Sequence, residues 1–189
     1  SPTATTIFNV TATDANSCTA TGSVSVSVTG SSPLTANAGT NRTICSGTPT
    51  NLGGAPTGNG GNTSGTYTYS WSNGAGTAAN PTVSPTTTTT YTVTVTNTLC
   101  TATGSVIVTV NPKPAAAPTA SVNPVCSGSN TTIAANPSGG VSPYTYQWNT
   151  SQTSASFVAS PTATGAPVVN AYTVTVTDLN SCTVTSTIN

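Results

Sequence analysis

The chain is 189 residues long and carries only four charges, Arg42, Lys113, Asp14 and Asp178, with neither His nor Met. Two carboxylates far apart in sequence, without a His to partner them, supply neither an acid–base pair nor a metal cluster. Two basic residues cannot neutralise a phosphate backbone, so the reading is of a non-enzyme with no cofactor, no metal and no nucleic-acid partner.

What remains is the composition of a folded β protein. Hydrophobic residues make up 34% of the chain and are patterned, which argues against charge-driven disorder. No run of about 18 apolar residues occurs, so membrane insertion is not expected. Without a basic, apolar leader or an initiator Met, the chain reads as a processed or excised piece of a longer one.

In chain order, the first strand signal is Phe8-Asn-Val-Thr-Ala-Thr13, followed by a stretch in which Val24, Val26 and Val28 alternate with Ser. Tyr67, Tyr69 and Trp71 form an inward aromatic stripe, repeated in Tyr144-Thr-Tyr-Gln-Trp148. In Tyr91–Thr96 the residues Tyr91, Val93 and Val95 face one way and three Thr the other, and Tyr172–Thr177 repeats this. Val106, Val108 and Val110 alternate likewise with Ile107 and Thr109. A period of two marks strands with one buried face. Thr, 45 of the residues, suits the other face because it is β-branched and soluble without charge. Gly53-Gly54, Asn59-Gly-Gly61 and Gly139-Gly140 separate the runs. No helical stripe is present.

The same landmarks recur. Cys18, Cys100 and Cys182, each opening a Thr-rich strand, are spaced by 82 and 82, and Cys45-Ser-Gly and Cys126-Ser-Gly by 81. The period is therefore about 81 residues. Residues 1–30 read as the C-terminal part of a preceding repeat, 32–111 as a complete repeat, and 118–189 as a second whose last strand is incomplete. About seven short strands in such a length predict an all-β, immunoglobulin-like β-sandwich. Asn111-Pro-Lys-Pro-Ala-Ala-Ala-Pro118 reads as a Pro-stiffened linker, and a row of such modules as a semi-rigid rod.

Each repeat runs Cys-Ser-Gly, then Tyr-Thr-Tyr-x-Trp, Ser-Pro-Thr, Tyr-Thr-Val-Thr-Val-Thr, a turn, and Cys-Thr. This resembles the PKD-like and SprB-type repeats of giant cell-surface adhesins of Bacteroidota, a group that uses type IX secretion and gliding motility. The resemblance implies tandem immunoglobulin-like (PKD-like) modules on an extracellular, surface-tethered protein with structural or adhesive duty. The implied partners are neighbouring repeats of the same chain or filament, with surface glycans or other cells as a second class. Two alternatives stand beside it: a spacer or binding module of a secreted polysaccharide-degrading enzyme, and a filament subunit that donates a strand to its neighbour. The Asp-Asn/Ala-Asn-Gly-Cys turn of these repeats is here Asp14-Ala-Asn-Ser-Cys18, Asn97-Thr-Leu-Cys100 and Asp178-Leu-Asn-Ser-Cys182.

Among candidate residues, Trp71 and Trp148 lie on central period-two strands and are read as core with Tyr91 and Tyr172, rather than as sugar-stacking platforms. Asn9, Asn41, Asn62, Asn130 and Asn149 begin Asn-x-Ser/Thr triplets, which arise by chance in such a composition. The stretch from Thr57 to Asn62 reads as a Gly-rich loop. Five cysteines in a secreted, non-enzymatic chain point to structural disulfides. One pairing is intra-repeat, Cys45 with Cys100 and Cys126 with Cys182. Sandwich topology puts Cys45 and Cys100 at opposite ends of a strand roughly 23 Å long, whereas a disulfide needs Cα atoms within about 7 Å. The favoured pairing is therefore inter-repeat, Cys45 with Cys182, leaving Cys18 and Cys100 to partners in earlier repeats and Cys126 to one in a later repeat. The intra-repeat pairing stays open.

Overall fold

The structure, a computed structural model, describes residues 2, 4–28, 32–61, 66–98, 100–162 and 169–189. Asn62 of the acceptor triplets and Leu99 of the middle cysteine turn lie outside these residues. Every regular element among them is a strand. In chain order these are β1 (Thr6–Thr13), β2 (Thr19–Val26), β3 (Thr35–Ala36), β4 (Arg42–Cys45), β5 (Thr50–Asn51), β6 (Gly58–Asn59), β7 (Thr68–Trp71), β8 (Thr82–Val83) and β9 (Thr89–Thr96). There follow β10 (Thr101–Asn111), β11 (Pro114–Ala116), β12 (Thr119–Ala120), β13 (Thr131–Ala134), β14 (Pro137–Gly139), β15 (Thr145–Trp148), β16 (Ser156–Ala159), β17 (Tyr172–Thr177) and β18 (Thr183–Ile188). Packing divides them into two compact units, one of residues 1–40, 51–82 and 91–106, the other of residues 41–50, 83–90 and 107–189.

In the first unit β1 and β2 form an antiparallel hairpin, Thr6 opposite Val26 through Thr13 opposite Thr19. Its Ile7, Val10 and Val24 are 60% or more exposed, although the equivalent Val93 of β9 is fully buried. β7 pairs antiparallel with β9, setting Tyr69 against Val95 and Trp71 against Val93. The alternation in β9 follows the sequence: Tyr91, Val93 and Val95 are buried while the Thr between them are half-buried. Each such Val removed from water contributes roughly 1.5–3 kcal/mol. Ala38, Leu52, Trp71 and Val106 are buried with them.

Two readings change. Residues 111–118 are not simply a linker, because Asn111 ends β10 and Pro114–Ala116 form β11, antiparallel to β14. The stretch beginning at Thr57 is not all loop, because Gly58 and Asn59 form β6, antiparallel to β3. Gly58 permits this, since a Cβ there would come within 2.8 Å of the Val95 side chain. Two left-handed glycines, Gly60 and Gly61, then end the strand.

In the second unit the core gathers Ile133, Ala135, Trp148, Ala159, Val174 and Val176, with Tyr146, Phe157 and Val184 packed against it. β12, β13 and β16 form one sheet and β15, β17 and β18 another. The outer face of β17–β18 carries a Thr ladder, with Thr173 and Thr187 hydroxyls 2.9 Å apart and those of Thr175 and Thr185 3.3 Å apart. Cross-strand hydroxyl pairs thus replace the charged pairs usual on a solvated sheet face. β4 pairs in parallel with the end of β10, Arg42 opposite Val108 through Cys45 opposite Asn111.

Candidate functional site

The sequence places cysteines on two kinds of turn, and each has its own hydrogen-bond frame. The first follows β17. Asp178 is buried, and its Oδ1 accepts the backbone N–H groups of Asn180 (3.0 Å) and Cys182 (2.8 Å). Its Oδ2 accepts from Val141 N at 2.9 Å. Two backbone bonds, Asp178 N to Cys182 O and Ser181 N to Asp178 O, close the turn, and Ser181 takes a left-handed φ of 61°. A short Asx side chain is the chemistry for this role, because it can satisfy N–H groups two and four residues on.

The turn after β1 repeats that frame. Asp14 Oδ1 accepts from Asn16 N (2.8 Å) and Cys18 N (2.9 Å), and Ser17 has φ 66°. After β9 the turn is one residue shorter, and Asn97 Oδ1 accepts from Cys100 N at 2.8 Å. An acceptor oxygen thus holds the cysteine N–H in all three repeats.

The second kind of turn carries Cys45 and Cys126. Cys45 O accepts from Thr48 N, and Gly47 N donates to Pro85 O, both at 2.9 Å. Cys126 O accepts from Ser129 N, and Gly128 N donates to Pro161 O, again at 2.9 Å. Gly47 and Gly128 have φ 72° and 78°, which accounts for the glycine in Cys-Ser-Gly.

Within the second unit the structure brings one turn of each kind together. Cys45 and Cys182 are disulfide-bonded, with Cα atoms 5.6 Å apart and a sequence separation of 137. Cys18, Cys100 and Cys126 are free and exposed, so the intra-repeat pairs Cys45–Cys100 and Cys126–Cys182 do not form. The reason lies along β10: Cys45 is in register with Asn111, its last residue, whereas Cys100 precedes its first. Eleven strand residues rise roughly 36 Å, far beyond the reach of a disulfide.

The aromatic candidates are placed as follows. Trp71 and Trp148 are 6% and 1% exposed, and their indole N–H groups donate to Ala78 O and Ser154 O, both at 3.0 Å. Trp148 meets Phe157 edge-on at 5.1 Å between ring centroids. Tyr91 is buried. Tyr172 is only half-buried, because it opens β17 at the rim of an opening of ≈ 370 Å³ that Val122, Val125 and Ile188 also line. Asn149 donates its Nδ2 to Ala171 O at 2.9 Å, so the nitrogen that a glycan would take is already engaged. Sequence reasoning missed the buried acceptor role of Asp178, although the recurring Asp-x-Asn-Ser-Cys spacing pointed to it.

A family model for the SprB repeat matches residues 119–153. A comparison with curated protein sequences finds no match. Among solved structures, the N-terminal eight immunoglobulin domains of Down Syndrome Cell Adhesion Molecule align with a TM-score of 0.53 at 15% identity, over 97% of this chain and 27% of that one. A three-immunoglobulin-domain stretch of titin aligns with a TM-score of 0.40 at 10% identity, over 97% of this chain and 72% of that one. The chain thus spans about a quarter of the first of these structures, and the likeness to it is one of fold. Residues 119–153 thus resemble an SprB repeat, and the chain has an immunoglobulin-like β-sandwich fold.

Proposed function

We propose that the chain is a structural and adhesive segment of an extracellular filament or giant surface adhesin, whose consecutive repeats are joined by disulfides. The observation that carries this reading is the Cys45–Cys182 bond within the second unit; on the repeat bounds read from the sequence, it joins the 32–111 repeat to the 118–189 repeat. Such bonds persist in oxidising compartments, which supports a location outside the cell. A chain with two basic and two acidic residues, Asp178 of them buried, gives charge little part in holding repeats together, and a covalent link supplies what ion pairs do not. SprB-type and immunoglobulin-like modules are typically structural rather than catalytic, which fits load-bearing and adhesive duty.

The test uses cells that produce the protein. Intact cells are treated with a membrane-impermeant maleimide, and the chain is then isolated without reductant. The expected result is that Cys45 and Cys182 are recovered from intact cells as one disulfide-linked peptide, and that any of Cys18, Cys100 and Cys126 left without a partner repeat is labelled before lysis. A chain labelled only after lysis, with Cys45 and Cys182 both reactive, would overturn the reading.

A further inference from the structure

We propose that thiols open the Cys45–Cys182 disulfide only at the Cys45 sulfur, and that the Asp178 carboxylate guards the bond against them. The inference rests on the disulfide-joined reading above and deepens it, since a link that carries load between repeats has to outlast the thiols around it. The two sulfurs differ in access. Cys182 is 0% exposed, whereas Cys45, at the end of β4, is half-buried. Exchange depends on which sulfur an attacking thiolate can reach, and of this pair only Cys45 meets solvent.

Entry at Cys45 makes Cys182 the leaving group, and its surroundings oppose that role. Asp178 is itself buried, and its Oδ1 lies 2.8 Å from Cys182 N. The Cys182 sulfur, three bonds beyond that nitrogen, therefore stands within about 7 Å of the carboxylate. Cys182 Sγ is also 4.0 Å from Asn180 O. A departing thiolate would be an anion stripped of water, beside a carboxylate and a carbonyl oxygen. Burial, like charge and an acceptor oxygen each disfavour it, and a poor leaving thiolate slows exchange. The chain's two cations give little relief, because Lys113 is exposed and Arg42 is half-buried, where water and salt screen them.

In the exchange, the thiolate of a small thiol such as glutathione bonds to Cys45 Sγ and the Cys45–Cys182 bond breaks. Its electron pair leaves on Cys182 Sγ, which takes a proton from water. A second thiolate then attacks the mixed disulfide and frees the Cys45 thiol. Two protein thiols are gained, and two small thiols are oxidised to one disulfide.

The experiment uses the purified chain with Cys18, Cys100 and Cys126 alkylated beforehand. Reduced glutathione is added under native conditions, samples are quenched in acid, and mass mapping locates adducts and free thiols. The expected result is glutathione on Cys45 and a free thiol at Cys182, a readout that does not depend on how well any variant folds. Asp178→Asn, which removes the charge but keeps an oxygen for Cys182 N, is expected to open at least about threefold faster. Trp148→Phe, a core change away from the bond, controls for lost stability. Its opening is expected to stay within about twofold of the unsubstituted chain, because attack on the folded protein does not wait for the core to unfold. In denaturant all three chains are expected to open at one rate. Adducts on Cys182, or shared equally between the two cysteines, would overturn the proposal. So would equal acceleration by both variants, or none by Asp178→Asn. In each of those cases a Cys45–Cys182 bond in the starting chain keeps the proposed function standing, and its absence removes both.

Discussion

Asp178 accepts the backbone N–H of Cys182 at 2.8 Å, and the same side chain also takes the N–H groups of Asn180 and Val141. One buried carboxylate therefore shapes the turn that presents the fully buried Cys182 to Cys45. Asp178→Ala would leave three N–H groups without their acceptor and is expected to cost about 2–4 kcal/mol of unfolding free energy. Asp178→Asn keeps the oxygen that serves Asn180 and Cys182, as Asn97 does for Cys100, and is expected to cost less. Asp14→Ala, in the exposed equivalent turn, is expected to change little. Denaturant unfolding of the three variants checks the order.

The 137-residue span closed by Cys45–Cys182 sets a second expectation. Cross-linking a loop of that length lowers the entropy of the unfolded chain by an amount worth roughly 5 kcal/mol in the chain-entropy account. Cys45→Ser is therefore expected to lower the stability of the second unit by about 2–5 kcal/mol, with a matching loss on reduction of the unsubstituted chain. An unchanged unfolding midpoint in reductant would contradict this.

Force supplies a third and more direct measurement. When the chain is pulled from its ends, residues between Cys45 and Cys182 are bypassed by the disulfide and cannot lengthen it. Adding reductant is expected to release the hidden segment, about 450–490 Å of contour at 3.3–3.6 Å per residue. Equal contour lengths with and without reductant would show that the bond carries no load.

The core offers a fourth test. Trp148 is 1% exposed, stacks edge-on against Phe157 and donates to Ser154 O. Trp148→Ala removes that volume and is expected to cost about 3–5 kcal/mol. Trp148→Phe keeps most of the apolar contact but leaves Ser154 O without the indole donor, for a loss of about 1–3 kcal/mol. Thermal melts of both variants read the difference.

Finally, with two basic residues, two acidic ones and no His, adhesion is expected to change little between about 0.05 and 0.5 M salt. The same holds between about pH 5 and 8. Adhesion assays across both ranges check this, and a steep loss with salt would point to a charged partner.

The strand faces were legible in the sequence because a half-buried strand must alternate. Tyr91, Val93 and Val95, or Val174 and Val176, could not all be buried on any other period. The repeat was legible because each copy needs the same glycine in its Cys-Ser-Gly turn and the same Asx acceptor before its second cysteine. Residue type and spacing could not decide which thiols meet. That choice depended on the parallel register of β4 on β10, which puts Cys45 beside Asn111 and a strand's length away from Cys100. Tertiary structure also left Tyr172 at a rim while its counterpart Tyr91 is buried, although both begin the same Tyr-Thr-Val-Thr-Val-Thr sequence. It buried the Asp178 carboxylate while Asp14, in an equivalent turn, stays exposed. Local sequence sets the frame of a turn or strand, but burial and bonding depend on which distant segments pack against it.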